Sequence, residues 1–145
     1  MDKVDLISIL KKENLKDLEE FTKSLTQEDL HLIMYHSSDP RYADNCAKIF
    51  TSLDYSRCEK YFDDLFSWIE DLNRIGAYEI FEYLAKAPGS LILPHFKRAT
   101  DAGIKRDNKN MLCFLKMLVK ENLELYSLIK NDDILKRLKE KTEDR

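Results

Sequence analysis

Residues 56–87 read SRCEKYFDDLFSWIEDLNRIGAYEIFEYLAKA, and their pattern predicts two helices joined by a short elbow at residues 71–76. In the first helix, apolar residues recur at the spacing that places side chains on one helical face. These residues are Cys58, Tyr61, Phe62, Leu65, Ile69 and Leu72, with Phe66 and Trp68 beside them. Residues 77–84 repeat the pattern. Because the connection between the two amphipathic helices is so short, we expect an antiparallel helical hairpin.

Local signals place the ends of these two helices. Ser56 followed by Glu59 has the spacing of a capping box, in which the two side chains satisfy backbone N–H groups at a helix start. Asp71 or Asn73 is placed to cap the second helix, and Gly76 allows its first turn to lie close to the first helix. We therefore expect the first helix to begin at Ser56 and the elbow to be a capped turn.

Helical periodicity continues through the rest of the chain. Helix-start signals recur at Asn14, Thr26, Asp39, Ser90, Asp107 or Asn108, and Asp132. Residues 30–35 are apolar nearly all round the helix and residues 111–119 over more than half of it, so we expect both helices to be buried. Glycine and proline are too few for the turns of a sandwich or barrel. The sequence predicts an all-α fold of stacked antiparallel helical hairpins, either an irregular α-solenoid or a compact helical bundle.

The length of 145 residues suits one helical domain, residues 1–145, with the polar segment 139–145 as a frayed tail. No apolar run approaches the ~20 residues needed to cross a bilayer. The acidic N-terminal residues lack the apolar core of a secretory signal. Cys46, Cys58 and Cys113 fall within helical patterns, which is typical of small buried residues in a reducing compartment. We therefore expect a cytoplasmic protein that does not interact with a membrane.

The sequence contains no motif of an enzyme or a metal site. It lacks a P-loop, a Gly-rich dinucleotide turn, HExxH and GxSxG. No cysteine pair has metal-ligand spacing, and the three histidines do not cluster with the cysteines. Acid pairs such as Glu59 with Asp63, or Glu79 with Glu82, share a helix face but lack the further oxygen ligands that calcium requires. We therefore predict a non-enzymatic protein with no catalytic residue, no cofactor and no bound metal.

Charge is distributed unevenly along the chain, although the net charge is only −3. Residues 54–82 contain eight acidic against three basic residues, and residues 86–120 contain eight basic against two acidic residues. Such runs are usually ordinary solvated surface. The more specific interpretation is an acidic face that steers and docks a basic partner. The candidate residues of that face are Glu59, Asp63, Asp64, Glu70, Glu79 and Glu82. Aromatic residues do not interleave the basic ones in a stacking pattern, so we expect no direct contact with nucleic acid.

Residues 68–73 read WIEDLN, and GA at 76–77 and IFEYL at 80–84 follow. These motifs resemble a family of small helical proteins that includes immunity proteins of bacterial polymorphic-toxin and contact-dependent inhibition systems. The resemblance covers about thirty residues and departs from the family pattern at Arg74-Ile75, where Trp-Pro is usual. It implies a cytoplasmic protein that binds a cognate toxin domain and blocks it without catalysis. Such toxins are often nucleases, whose basic clefts suit an acidic helical face.

Two functions stay open on these residues. The first is an immunity protein that neutralises a basic toxin domain, such as a nuclease, through the acidic face. The alternative is a helical adaptor or scaffold that binds a peptide or partner helix in a groove between hairpins. An enzyme is less favoured, since it would need a bound metal or a deep pocket with convergent polar groups. We assign Trp68, Phe62 and Phe66 to the core, because aromatic stripes at helical spacing usually pack there.

Overall fold

The computed structural model describes residues 2–11 and 17–143, in which no strand occurs, so the predicted all-α class is confirmed. The helices are α1 (Lys3–Leu10), α2 (Leu18–Ser24), α3 (Gln27–His36), α4 (Pro40–Thr51), α5 (Tyr55–Cys58), α6 (Phe62–Trp68), α7 (Ala77–Ala85), α8 (Gly89–Lys105), α9 (Lys109–Glu121), α10 (Leu123–Ile129) and α11 (Asp133–Thr142), with a 3₁₀ turn at Glu59–Tyr61. Asn14, a predicted helix start, lies outside the described residues. None of the described helices combines the length and the apolar composition needed to span a bilayer.

Contacts between residues divide the chain into two compact units, unit 1 at residues 1–58 and unit 2 at residues 59–145. In unit 1, helices α1, α2 and α3 each contact α4. The buried apolar residues of α4 are Tyr42, Ala43, Cys46, Ala47, Ile49 and Phe50. They lie on one side of the helix, and because α1, α2 and α3 all contact α4, it is the central helix around which unit 1 packs.

Two predicted helix starts in unit 1 are confirmed. Thr26 and Asp29 form a capping box at α3, since the Thr26 hydroxyl accepts from the Asp29 N–H at 3.1 Å and the Asp29 carboxylate accepts from the Thr26 N–H at 2.9 Å. Asp39 caps α4 by accepting from the Arg41 N–H at 2.9 Å. Hydrogen bonds from the Arg41 side chain and backbone lower the pKa of Asp39 to about 2, so this cap is charged over the whole physiological range.

Helix α3 is buried on one side only. Leu30 and Ile33 are buried, whereas Leu32 and Met34 are partly exposed and Tyr35 is fully at the surface. The prediction that residues 30–35 are all buried is therefore wrong. Apolar residues surround the helix, but the main tertiary contacts of α3 are with α4, so the side that faces α4 is the buried one.

The helix predicted to start at Ser56 is broken in the structure, and the capping box of Ser56 with Glu59 is wrong. Helix α5 is a single turn that already contains Ser56, the 3₁₀ turn follows, and α6 begins only afterwards. A long-range contact in unit 1 accompanies the break. The Arg57 guanidinium donates to the carbonyl oxygen of Thr22 at 2.6 Å and also to that of Leu25, at the carboxyl end of α2.

Unit 2 packs around α8, a helix of 17 residues that contacts α6, α9, α10 and α11. Helix α7 contacts α6 and α9. Within this unit the arrangement is that of a compact bundle around one helix. Trp68, Phe62 and Phe66 are all buried, which confirms their assignment to the core.

The start of α8 differs from its prediction. Ser90 does not cap the helix, because α8 already begins at Gly89, with Pro88 in the preceding position. The Ser90 N–H donates instead to the side chain of Glu124, at 3.3 Å from Oε1. The first turn of α8 is therefore held against the first turn of α10.

Two other helix starts in unit 2 agree with the sequence. Asn108, one of the two alternatives, caps α9 by accepting from the Met111 N–H at 3.1 Å. Asp132 caps α11 by accepting from the Ile134 N–H at 2.9 Å. Helix α11 includes the first four residues of the segment 139–145, which the sequence predicts to be a frayed tail.

Candidate functional site

The six acidic residues of the predicted partner-binding face all lie in unit 2, but in different surroundings. Asp63, Asp64, Glu79 and Glu82 are exposed, while Glu59 and Glu70 are partly buried. They are distributed over the 3₁₀ turn, α6 with the residue pair that follows it, and α7. Because the first helix is broken at the 3₁₀ turn, these side chains do not follow one continuous helical stripe.

Asp63 on α6 interacts with two side chains of α8. Its Oδ1 lies 2.8 Å from His95 Nδ1, and Arg98 donates to both carboxylate oxygens at 3.3 Å. Partial burial raises the pKa of the Asp63 carboxyl, but hydrogen bonding to His95 and Arg98 lowers it more, so the pKa lies below the ordinary aspartate value. The negative charge of Asp63 is therefore compensated inside unit 2.

Glu70 is paired in the same way, with its Oε1 accepting from Arg106 Nη2 at 2.8 Å. The acidic stretch around α6 and the basic stretch of α8 thus partly neutralise each other. A cleft of about 180 Å³ lies between these pairs and is also lined by Ser67. Ser67 forms no hydrogen bond with His95 in the described structure, so Asp63, His95 and Ser67 do not make a nucleophile relay. No three carboxylate, imidazole or thiol groups among the described residues are placed to hold a metal ion.

Helix α7 presents a different surface. Tyr78 is 63% exposed, and Glu79 and Glu82 are exposed beside it on successive turns. A depression of about 410 Å³ adjoins them, and its lining contains one lysine beside two glutamates: Tyr78, Phe81, Glu82, Ala85, Lys86, Met117 and Glu121. We call Tyr78, Glu79 and Glu82 the α7 surface. Tyrosine is enriched at protein interfaces because it offers a large rigid contact area with a polar end.

The elbow between α6 and α7 is held by Trp68 and not by the predicted caps. The Trp68 indole Nε1–H donates to the carbonyl oxygen of Ile75 at 2.9 Å, and the Arg74 guanidinium lies over the indole ring at 4.8 Å from its centre. Asp71 accepts from the Asn73 N–H, within the turn itself. Neither Asp71 nor Asn73 caps α7, so that prediction is wrong.

Gly76 occupies the position before α7 with φ of 82°. This left-handed conformation is one that glycine adopts without the steric cost that a Cβ brings. The glycine of the resembling motif is therefore explained by the backbone of the turn.

Replacing Trp68 with phenylalanine tests this elbow. Phenylalanine lacks the Nε1–H that donates to Ile75 and is smaller than tryptophan, so the bond is lost and space opens at a buried site; we expect a loss of about 2 kcal/mol in the free energy of unfolding. The measurement is chemical unfolding followed by circular dichroism, since the variant lacks the tryptophan of the chain. A denaturant unfolding curve identical to that of the unchanged chain would contradict the role given to this bond.

Helix α9 is not buried over its whole apolar side. Its buried apolar residues are Met111, Leu112, Leu115, Leu118 and Val119. Helix α9 packs against four helices of unit 2, as expected of a core helix, but Cys113 and Met117 are exposed, so the prediction of a buried Cys113 is wrong. Cys46 and Cys58 are buried as predicted, and burial raises the pKa of the Cys46 thiol to about 12.

The exposed side of α9 forms an apolar groove with α10 and α11, of about 490 Å³. We call it the α9–α11 groove; it is lined by Cys113, Lys116, Met117, Val119, Lys120, Leu123, Tyr126, Leu135, Lys139 and Thr142. No candidate residue from the sequence lies in it. The signal that could have found it is the excess of apolar positions on α9, which is more than one packed side of a helix needs.

Comparison with known proteins adds no family to these observations. No protein-family model matches the chain. No curated protein and no solved structure matches it.

Proposed function

We propose that the chain is a cytoplasmic, non-enzymatic immunity protein that binds a cognate bacterial toxin domain and neutralises it by protein–protein contact. The observation that carries the proposal is the α7 surface, where the exposed Tyr78 lies on the same side of the helix as the exposed Glu79 and Glu82. The resemblance of residues 68–84 to immunity proteins supports the same function, since α7 forms its second half. The toxin that suits this surface has a basic substrate cleft, as a nuclease does.

The charges of the predicted face are not equivalent in this role. Asp63 and Glu70 are already paired with Arg98 and Arg106, so a partner gains less from them. On the α7 surface, Tyr78 and Glu82 line one depression and Glu79 is exposed beside Tyr78, which suits an aromatic anchor with carboxylates near it. Exposed carboxylates mainly raise the association rate and the specificity for a basic partner.

Replacing both Glu79 and Glu82 with lysine is the direct test. We expect the affinity for the toxin to fall by at least about tenfold, with a larger loss at low ionic strength, where charges are less screened. The partner is first captured with the unchanged chain from the producing cell and shown to stop growth of a naive host. Affinity is then measured on the purified pair, and growth protection in the host is scored in parallel.

The matched control reverses two exposed glutamates elsewhere in unit 2, Glu140 and Glu143, with the same change in net charge. This control separates a local contact from a general effect of charge. If both double variants bind and protect equally well, the α7 surface is not the toxin contact. If no captured partner is toxic, the immunity proposal itself fails.

A second candidate function is a helical adaptor that binds a peptide or partner helix. The α9–α11 groove favours it, because the groove is apolar, concave and about 490 Å³ in volume. Many partners without toxicity, captured through this groove, would support the adaptor over the immunity protein.

A further inference from the structure

The α9–α11 groove exposes large apolar side chains from two helices. Leu123, at the first position of α10, is 74% exposed, and Met117 and Tyr126 are each more than two-fifths exposed. Leu135 of α11 also lines the groove and is itself buried. Single exposed apolar residues are ordinary, but several that converge on one concave surface are typical of a binding site.

The edges of the groove are positively charged. Of the described residues that line it, three are lysines and none is acidic: Lys116 and Lys120 come from α9, and Lys139 from α11. All three are exposed, and none forms a salt bridge with a carboxylate in the described part of the chain. Unit 2 therefore leaves the apolar lining exposed and, among the described residues, the three lysines without a salt bridge.

We propose that the α9–α11 groove binds an amphipathic helix of a partner protein, with apolar anchors at helical spacing and acidic residues flanking them. Charge complementarity selects this occupant, because acidic flanks would pair with the three lysines while the anchors cover Met117, Leu123 and Tyr126. The groove lies between helices and offers no strand edge within the described residues, so an extended peptide would find no backbone ladder there. The proposal rests on the adaptor function and not on toxin binding.

Two fluorescent peptides test the chemistry of the occupant. Both carry leucines at positions i, i+3, i+4 and i+7, and one has glutamates and the other lysines at the flanking positions. We expect the full chain to bind the glutamate peptide at least about tenfold more tightly, measured by fluorescence anisotropy. Equal affinity for the two peptides, or no binding of the glutamate peptide, would overturn the proposal.

A pair of matched variants locates the binding. Leu123→Glu places a carboxylate in the groove, and Leu128→Glu makes the same change on the same helix at a 47% exposed position outside the groove. We expect Leu123→Glu to lower the affinity for the glutamate peptide at least about tenfold and Leu128→Glu to leave that affinity unchanged. Because both side chains are exposed, both variants should keep the fold, which the fluorescence of buried Trp68 reports. Equal losses in the two variants would contradict binding in the groove.

Cys113 provides a second readout, since it is exposed and lines the groove whereas Cys46 and Cys58 are buried. Bound glutamate peptide should slow the alkylation of Cys113 by iodoacetamide. The rate of alkylation is measured by mass spectrometry. Alkylation at an unchanged rate under saturating peptide would place the peptide elsewhere.

Two other occupants are distinguished by the same variants. A dimer in sedimentation velocity that Leu123→Glu dissociates would assign the groove to a second copy of this chain. Binding to vesicles of phosphatidylglycerol that Leu123→Glu abolishes would assign it to a membrane surface. Either result overturns the proposal of a partner helix. The toxin contact stays testable by itself, because Glu79 and Glu82 are unchanged in every groove variant.

Discussion

Replacing Asn122 with alanine is expected to lower the free energy of unfolding of unit 2 by about 3 kcal/mol, from three lost hydrogen bonds with buried partners. Asn122 is 3% exposed and lies between α9 and α10. Its Nδ2 donates to the carbonyl oxygens of Leu84 at 3.1 Å and Ala87 at 2.9 Å, at the end of α7. Its Oδ1 accepts from the Leu125 N–H at 3.0 Å and so caps α10. One amide side chain thus links two helices, and alanine can replace none of its bonds.

The measurement is urea unfolding followed by the fluorescence of Trp68, which is buried in unit 2 and is the only tryptophan of the chain. Asn110→Ala is the matched control, since Asn110 is exposed on α9, and its effect should stay within about 0.5 kcal/mol. If the two variants unfold alike, the link through Asn122 contributes little.

Asn122→Asp distinguishes the contribution of the α10 cap to stability from that of the hydrogen bonds to the end of α7. An aspartate keeps the acceptor for the Leu125 N–H but loses both donors and directs a carboxylate at the carbonyl oxygens of Leu84 and Ala87. We expect it to be at least as destabilising as alanine at neutral pH. An aspartate variant with nearly full stability would show that only the cap matters.

Replacing Gly89 with alanine is expected to destabilise unit 2 by about 2–3 kcal/mol, because it overpacks a backbone-to-backbone contact. A Cβ at this position would lie 2.5 Å from the backbone nitrogen of Leu125 and 2.7 Å from the carbonyl carbon of Glu124. Neither atom can rotate away as a side chain does. To make room for the Cβ, the start of α8 would have to move away from the start of α10.

Gly103→Ala is the control, on the same helix. Its Cβ would lie 2.8 Å from Cδ2 of Leu112, which is the far end of a flexible side chain. Alanine also favours the helix interior over glycine by roughly 0.5–1 kcal/mol, which offsets part of the crowding. We expect Gly103→Ala to cost less than Gly89→Ala in the same unfolding experiment; the reverse order would contradict the close approach of α8 and α10.

The correctly predicted helix starts share one property. At Thr26, Asp39, Asn108 and Asp132, the cap and its backbone partner lie two or three residues apart. Such bonds depend on the local chain alone, so they can be read from the sequence. At two of the wrong starts a distant segment takes part, since the Ser90 N–H donates to Glu124 on α10 and Arg57, beside Ser56, donates to the end of α2.

In the candidate site, too, the sequence predicts local features and misses contacts between distant segments. The sequence identifies which residues are acidic, but the ion pairs of Asp63 with Arg98 and of Glu70 with Arg106 join residues 35 and 36 positions apart. Only the packing of α6 on α8 creates them, and they reduce the charge available to a partner. Glu79 and Glu82 on the α7 surface are exposed.

By itself, the sequence determined the all-α class, the aromatic core of α6 and the helix starts with local caps, because periodicity and capping act within a few residues. The tertiary structure decided which apolar residues remain exposed to solvent. Met117 and Leu123 are apolar residues in helical segments, as core residues are, and they differ from core residues only because no other helix covers them. The α9–α11 groove exists for that reason: burial depends on neighbours that are distant in the chain, and no local pattern specifies them.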